Sequence, residues 1–127
     1  MTPELQRLLQ SERLCYITTY DAQGKPGAVE IWFLHHQGKL YITTGANSLK
    51  VKKLRVTPRA RVAIGRWKGP AVEGPVRIAD EDTIRRVLPV LSKKYGDYWG
   101  PLDDLLRRHL GARPGRVLLE LTPAGSS

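Results

Sequence analysis

Alternation between apolar and polar residues recurs along most of the chain and predicts a mainly β protein with a few short helices. Six strands are predicted, over residues 14–20, 28–35, 40–44, 60–66, 71–78 and 116–121. In the second strand, alternate residues face opposite sides, so Ile31 and Phe33 share one face and Trp32 lies on the other. Gly74-Pro75 should interrupt the fifth strand with a bulge or mark a sheet edge. Six strands in a chain this short favour a small antiparallel barrel, since closure removes exposed strand edges.

Three further segments carry the periodicity of amphipathic helices. The first follows Thr2, which is a good N-cap; the second runs over residues 80–95; the third covers residues 102–110. Pro89 lies inside the second helix and should kink it or mark a boundary, because proline cannot donate to the helical hydrogen bonds. Residues 123–127 are expected to fray, as chain ends commonly do.

The bulk properties indicate one soluble domain spanning residues 1–127. The hydrophobic fraction is 41% and the charged fraction is 26%, which are ordinary values for a globular protein. The amphipathic, charged N-terminus does not resemble a signal peptide, and no apolar run approaches the length of a membrane span. Cys15 is the only cysteine, which excludes a disulfide framework and a multi-cysteine metal site. We therefore expect a cytoplasmic protein without a metal centre.

Positive charge is concentrated in one part of the chain. The sequence has 21 Lys or Arg and 12 Asp or Glu, a formal net charge of +9. Residues 39–68 contain nine of these basic residues and no acidic residue, so the two signs balance in the rest of the chain. Nucleic acid, an anionic membrane and a polyanionic small molecule are all candidate partners on charge alone.

A short basic helix is predicted within this segment. It should begin near Leu49, with Asn47 or Ser48 as its N-cap, and end before Pro58. Free N–H groups at a helix N-terminus, together with hydroxyls and basic side chains, are typical of an anion-binding site. The residues concerned are Thr43, Thr44, Ser48, Lys50, Lys52, Lys53 and Arg55. A solvated basic helix face is the alternative, since charged runs are common on surfaces.

Several motifs occur in a characteristic order. They are Tyr16-Ile17-Thr18-Thr19-Tyr20, the GKLYITTGA run over 38–46, Ser48-x-Lys50-Val51-Lys52-Lys53-Leu54-Arg55, Pro58-Arg59-Ala60-Arg61-Val62, Gly69-Pro70-Ala71-Val72-Glu73-Gly74 and, more weakly, Lys94-Tyr95-Gly96. This set resembles the split β-barrel flavoproteins related to pyridoxamine 5′-phosphate oxidase. It is most similar to their actinobacterial branch, which is associated with the deazaflavin coenzyme F-420. The resemblance implies a mainly β (α+β), six-stranded antiparallel split β-barrel with short flanking helices.

The resemblance also implies a site for FMN or coenzyme F-420. Ser48 and Lys50 match the Ser-x-Lys that holds the cofactor phosphate, whereas Leu49 stands where the family's oxidases tend to have another basic residue. Thr43 and Thr44 match positions that hydrogen-bond the cofactor. The other implied contacts are Ile31, Trp32 and Phe33 along the tricyclic ring, and Lys52, Lys53 and Arg55 on the longer anionic tail of the deazaflavin.

In this family the cofactor lies at a dimer interface. A homodimer is therefore implied, in which Trp67 and the segment after it serve the neighbouring subunit's site. The implied activity is hydride transfer between the cofactor and a small unsaturated or aromatic compound, with the cofactor carrying the difficult step. No catalytic residue is identified. The oxidases' substrate-recognition motifs have no counterpart in the C-terminal part, so oxidation of pyridoxine phosphate is not expected.

Two other functions stay open. Tyr41 and Trp67 beside basic residues are compatible with single-stranded nucleic-acid binding on a small barrel. That function is less favoured, because the strands lack a dense run of exposed aromatic residues. The other possibility is a protein that binds a flavin-like cofactor for storage or sensing without catalysis.

Three further polar or aromatic features also allow a functional or a structural interpretation. His35 and His36 are adjacent in a strand and point to opposite faces, so they are poorly placed to bind one metal ion. His109 is interpreted as a favourable charge near the C-terminus of the last helix. Tyr98 and Trp99 form either a lid over a substrate pocket or core packing beneath a loop.

Overall fold

The computed structural model describes residues 2–124, apart from the side chain of Asp97, and contains helices and strands in the predicted order. The helices are α1 (Pro3–Ser11), α2 (Leu49–Val56), α3 (Glu81–Tyr95) and α4 (Leu102–His109), with a 3-10 turn at Gly96–Trp99. The strands are β1 (Leu14–Tyr20), β2 (Pro26–Trp32), β3 (Leu34–His36), β4 (Lys39–Gly45), β5 (Arg59–Ile64), β6 (Ala71–Ile78) and β7 (Arg116–Leu121). Part of the segment expected to fray, residues 125–127, lies outside the described residues.

The described chain forms seven strands, so the prediction of six is wrong. The predicted second strand divides at Phe33 into β2, which pairs with β1, and β3, which pairs with β4. The Phe33 N–H donates to the Arg13 carbonyl at 3.1 Å. The Phe33 carbonyl accepts from Lys94 Nζ at 2.9 Å and from the Tyr95 hydroxyl. The backbone of Phe33 is therefore bonded outside the strand ladder, which lets the chain leave one strand partner for another.

The sheet is antiparallel and curled, consistent with a split barrel of the α+β class. Its strand order is β2-β1-β5-β6-β7-β4-β3. β6 pairs with β5 near its start and with β7 near its end. The sequence suggested that Gly74 and Pro75 would interrupt this strand, but β6 runs through both residues without a break. Instead, the Pro75 carbonyl accepts from Thr122 N–H at 3.0 Å, so the Gly-Pro pair lies where the chain following β7 approaches β6 closely.

Two apolar cores lie on opposite faces of the sheet, because neighbouring residues of a strand point in opposite directions. The first fills the barrel and includes residues of α1, α2 and the inner strand faces, among them Leu9, Cys15, Ile17, Phe33, Leu40, Ile42, Val51, Leu54, Val62, Ile64 and Leu119. The second joins α3 and α4 to the outer face of β3, β4 and β7, and includes Leu34, Tyr41, Leu88, Leu91, Tyr95, Leu105 and Leu118. The site described below lies where these two cores meet.

α3 is continuous through Pro89, so the proline marks no helix boundary. The Asp80 carboxylate caps the helix by accepting from the Thr83 N–H at 2.9 Å, as predicted. Within residues 2–124, no helix is both long enough and apolar enough to cross a membrane.

The Gly74→Ala substitution should destabilise the fold. A Cβ atom at position 74 would overlap the backbone carbonyl of Thr122, which cannot move without breaking its own contacts. We expect a loss of about 1–3 kcal/mol in the free energy of unfolding, measured by urea denaturation. The control is Gly115→Ala, since a Cβ at position 115 meets nothing within 4 Å. Equal stabilities of the two variants would contradict the close approach of the two backbones.

Candidate cofactor-binding cleft

An open cleft of about 250 Å³ lies between β2, β4, β7 and the 3-10 turn. It exists because the register of β3 with β4 stops at Tyr41, while β2 pairs with β1 on the other half of the sheet. The last residues of β4 therefore border a gap rather than a neighbouring strand on that side. The lining residues are Ile31, Trp32, Thr43, Thr44, Gly45, Tyr98, Trp99 and Arg116. Four of them, Ile31, Trp32, Thr43 and Thr44, are residues that the sequence predicted for a cofactor site.

Helix α2 begins directly after the cleft-lining end of β4. Ser48 is its N-cap, and the Ser48 hydroxyl accepts from the Val51 N–H at 3.4 Å, which confirms one of the two predicted caps. Lys50 is half-buried in the first turn of the helix. Burial and the neighbouring Arg116 lower the pKa of Lys50 below its ordinary value. Two cations thus lie near each other at a helix N-terminus, where the backbone N–H groups also favour an anion.

Arg116 is brought to this point by the pairing of the last strand. It begins β7 and lies opposite Gly45 in the antiparallel register with β4. Burial, together with Arg108, lowers the pKa of Arg116. Among the ion pairs of the described residues, neither Lys50 nor Arg116 has an acidic partner. Half-buried cations without a counter-ion, beside a capped helix N-terminus, are the donor set that a phosphate group fits.

A buried histidine connects α4 to the cleft. His109 is only 3% exposed. Its Nδ1 lies 2.7 Å from the Leu105 carbonyl, and its Nε2 lies 2.6 Å from the Thr43 hydroxyl. Arg116 Nε donates to the same Thr43 oxygen at 3.2 Å. Because a carbonyl can only accept, Nδ1 carries the proton in the neutral ring and Nε2 is left to accept from Thr43.

His109 does not act as the helix-terminal charge that the sequence suggested. Burial lowers the pKa of His109, and the nearby Arg116 and Arg108 act in the same direction, outweighing the bond to the Leu105 carbonyl. The ring is therefore neutral near pH 7. The interpretation failed because the residue faces inward, where a charge would be poorly solvated.

Aromatic side chains form one wall of the cleft. The Trp32 ring stacks on Tyr95 at a centroid distance of 4.8 Å and contacts Tyr98 at 4.3 Å. Trp99 packs edge-on against both Trp32 and Tyr95. Trp99 belongs to the second core, whereas Tyr98 is 67% exposed at the rim of the cleft. Core packing therefore describes Trp99, whereas the lid over a substrate pocket stays a prediction for Tyr98.

Other predicted site residues lie away from the cleft. Phe33 is fully buried in the barrel core. The Lys53 ammonium lies against Gly27 in the β1–β2 hairpin, and Lys52 is exposed to solvent. Arg55 lines a different cleft, beside Pro58, Val76, Arg77 and Ile78. Trp67 is 51% exposed and packs edge-on against Tyr16 at 6.0 Å. A single chain thus places Lys50, predicted for the phosphate, near the cleft residue Arg116, whereas the residues implied for an anionic tail or a neighbouring subunit lie elsewhere.

Arg116 and Gly45 line the cleft and His109 contacts Thr43 from α4, but none of the three was predicted as a site residue from the sequence. Gly45 was assigned only to the loop after the strand. Arg116 could have been found from the predicted last strand, because its pairing with the end of β4 places it at Gly45. His109 has no comparable local signal, since it reaches Thr43 across 66 positions of sequence.

The fold is consistent with a split barrel, and its aromatic-walled cleft contains Arg116, which lies near Lys50. The sequence model of the family described as pyridoxamine 5′-phosphate oxidase matches residues 1–126. The chain therefore belongs to the pyridoxamine 5′-phosphate oxidase family, a broad group of flavin-binding oxidoreductases. No curated protein matches the chain significantly.

Solved structures support the same fold. The chain is similar to the heme storage protein HutZ from Vibrio cholerae, with a TM-score of 0.77, 16% identity and coverage of 98% of this chain and 90% of that chain. It is similar to an FAD-binding protein from Mesorhizobium loti, with a TM-score of 0.69, 18% identity and coverage of 98% and 91%. A third similar structure is an F-420 reductase, with a TM-score of 0.60, 18% identity and coverage of 94% and 93%. At these identities the similarity shows the fold alone.

Acidification should destabilise the protein partly through His109. The pKa of His109 is lower in the folded chain than in the unfolded chain, so the unfolded state binds more protons between the two values. Stability should therefore fall as the pH drops below about 6.5, the ordinary histidine value. Urea denaturation between about pH 7 and pH 5 should show a smaller fall for His109→Gln than for the wild type.

His35 also has a lowered pKa because of burial, so it contributes to the same pH range. The His35→Gln variant separates the two contributions, since it should keep the part due to His109. Identical pH dependence in the wild type and His109→Gln would contradict the buried neutral ring.

Proposed function

We propose that this protein is an oxidoreductase that binds FMN or coenzyme F-420 in the cleft and transfers hydride between the cofactor and a small unsaturated or aromatic compound. The observation that carries the proposal is the Lys50–Arg116 pair, two half-buried cations without an acidic partner in the described chain, beside the N-terminus of α2. Cations held together in this way are costly unless an anion is bound between them. The family to which the chain belongs supports a flavin-type anion.

Different residues around the cleft would contact the phosphate and the ring system of the cofactor. Ser48, Lys50 and Arg116 would hold the phosphate, and the N–H groups of the first turn of α2 would add donors. Ile31 and Trp32 offer an apolar wall of the kind on which a flat ring system packs. The bound cofactor would supply the hydride chemistry, which demands little acid–base catalysis from the protein. Consistent with that, the carboxylate of Glu30 is engaged by the Tyr16 hydroxyl at 2.9 Å on an exposed surface of β1 and β2.

A homodimer is part of the proposal. The cleft of about 250 Å³ is smaller than the roughly 300–1,000 Å³ of typical small-molecule sites and is open on one side, so a second subunit would complete it. The four helices pack into the two cores, and neither core includes Tyr16 or Trp67. Tyr16 and Trp67 therefore form a surface outside both cores, which we propose as the subunit contact surface. Trp67 is half-exposed there, and large aromatic residues of this kind are enriched at protein interfaces.

The nucleic-acid alternative loses one of its two aromatic residues. Tyr41 is only 2% exposed, and its hydroxyl donates to the buried Glu120 carboxylate at 3.0 Å. It cannot stack on a base without unfolding the second core. The exposed basic residues alone would give only sequence-independent, salt-sensitive binding.

Lys50→Ala should weaken FMN binding by about 10- to 150-fold. The substitution removes a charge-assisted phosphate contact of roughly 1.5–3 kcal/mol. Fluorescence titration with FMN and with riboflavin measures the effect, since only FMN carries the phosphate. The affinity for riboflavin should stay nearly unchanged. Lys52→Ala is the matched control, because Lys52 is exposed on the same helix. An unchanged FMN affinity in Lys50→Ala would remove Lys50 from the site; coenzyme F-420 is titrated in parallel.

In solution the protein should have twice the mass of the chain by light scattering. Trp67→Ser should weaken the dimer by removing the largest exposed ring on the proposed contact surface. Val56→Ser is the control, since Val56 is 64% exposed on α2 and should leave the mass unchanged. A monomer at the concentrations used for cofactor titration would refute the dimer.

A further inference from the structure

We propose that Tyr98 covers the cleft-side face of Trp32 in the ligand-free protein, and that a flat ligand ring must displace Tyr98 in order to stack on Trp32. The inference rests on the proposed function, since it concerns the ring of a ligand bound in the same cleft. It makes Tyr98 a specificity-determining residue, because a ligand must replace the contact that Tyr98 gives up.

One face of the Trp32 ring is closed to ligands by the second core. The Tyr95 ring stacks on this face, with a centroid distance of 4.8 Å and an interplanar angle of 13°. Tyr95 is 7% exposed, and its hydroxyl donates to the Phe33 carbonyl. It belongs to the second core and is not one of the residues that line the cleft. A ligand could reach this face of Trp32 only by breaking the core.

Tyr98 covers the opposite face of the Trp32 ring. The two ring centroids are 4.3 Å apart, with an interplanar angle of 42°. An edge-on contact has a longer separation, as the 5.9 Å between Trp32 and Trp99 shows, so Tyr98 lies over a face of the indole. Because Tyr95 occupies one face, Tyr98 must occupy the other. Trp32 and Tyr98 both line the cleft, so this is the face that a ligand in the cleft would use.

Tyr98 is held more weakly than the rings around it. It is 67% exposed. Within residues 2–124, the tyrosine hydroxyls that form hydrogen bonds within the chain are those of Tyr16, Tyr41 and Tyr95, so Tyr98 depends on ring contacts alone. Exposed side chains change rotamer rapidly. Tyr98 can therefore rotate away while the adjacent Trp99 stays packed in the second core.

The size of the cleft agrees with an occupied ring site. Its volume of about 250 Å³ is below the roughly 300–1,000 Å³ of typical small-molecule sites. Rotation of Tyr98 into solvent would add the space of its phenol ring to the cleft and would uncover the flat face of Trp32. A second subunit could close the open side of the cleft, but it could not by itself uncover this face.

Competition for one face of Trp32 determines which rings the cleft accepts. A ligand ring that enters the cleft breaks the contact between Tyr98 and Trp32 and forms its own contact in exchange. A fused ring system larger than a phenol regains more stacking area than is lost, whereas a small single ring regains no more than is lost. Tyr98 therefore favours flat, fused aromatic ligands over small single rings.

The test is fluorescence titration with riboflavin, which carries the fused ring without the phosphate. Tyr98→Ala should bind riboflavin about two- to tenfold more tightly than the wild type, because the ligand no longer has to break an aromatic contact. Tyr98→Phe is the matched control, since it keeps the ring and should bind as the wild type does. FMN should show the same ratio, and coenzyme F-420 replaces both ligands if the protein binds only the deazaflavin.

Unchanged or weaker binding by Tyr98→Ala would overturn the inference. Weaker binding is the result expected of a lid, or of a Tyr98 ring on which the ligand itself stacks. The direction of the change therefore distinguishes a residue that competes with the ligand from a residue that covers or supports it.

Fluorine NMR observes the displacement without relying on the stability of Tyr98→Ala. In protein labelled with 3-fluorotyrosine, the signal of Tyr98 is assigned by its absence in Tyr98→Phe. The ring current of Trp32 should shift this signal away from its position in the unfolded chain, and saturation with FMN should move it back toward that position. A signal that keeps its ligand-free position in the FMN complex would overturn the inference.

The two proposals fail in different ways. If neither the wild type nor Tyr98→Ala binds FMN or coenzyme F-420, the proposed function is wrong and this inference is wrong with it. If the wild type binds one of them and Tyr98→Ala binds it no more tightly, the proposed function stands and only the role of Tyr98 is wrong. Lys50→Ala should leave the gain from Tyr98→Ala unchanged, because the two side chains act on different parts of the ligand.

Discussion

The diversion of the backbone at Phe33 is the constraint on which the rest of the structure depends. Lys94 Nζ donates to the carbonyls of Phe33 and of Glu12, at 2.9 Å and 3.0 Å, and burial lowers the pKa of Lys94 to about 8. These bonds satisfy the backbone where the chain passes from β2 to β3. Because β2 and β3 then pair with different strands, a gap opens beside the end of β4. The cleft is that gap, so the end of α3 determines where the cleft lies.

Local sequence patterns predict most of the secondary structure of the fold. Alternation and turn residues predicted the strands in the right order, although six were predicted and seven are found. Residue type alone predicted the cap at Asp80 and gave Ser48 as one of two candidates for the cap of α2. The split at Phe33 could not be found in this way, since its cause lies in Lys94 and Tyr95, about 60 positions away. Alternation is the same on both sides of the break, with Ile31 and Phe33 facing one core and Trp32 the other. A pattern of faces therefore does not reveal which partner a strand pairs with.

The candidate site likewise combines residues that local sequence predicts with residues that only the tertiary structure brings in. Residues contributed by one continuous stretch, from Thr43 to Lys50, were predicted because a strand end, a cap and a basic helix follow one another in sequence. Arg116 and His109 come from other elements and join them only through the β4–β7 register and the packing of α4. A histidine near a helix C-terminus has a plausible local explanation, so nothing in the sequence marks it as buried.

Two cations without an acidic partner among the described ion pairs are the main electrostatic feature beside the cleft. Lys50 and Arg116 are each partly desolvated, and the pKa of each is lowered by burial, with a neighbouring arginine adding to the effect. By contrast, the buried Glu120 has Arg77 at 2.6 Å and Lys39 at 3.4 Å, and its pKa is lowered because those bonds outweigh burial. On β7, therefore, the buried charge of Glu120 is neutralised by cations within the chain. Lys50 and Arg116, in contrast, have no such partner in the described chain, and two cations close together destabilise the free protein. An anion that bound between them would remove this repulsion and so stabilise the folded chain.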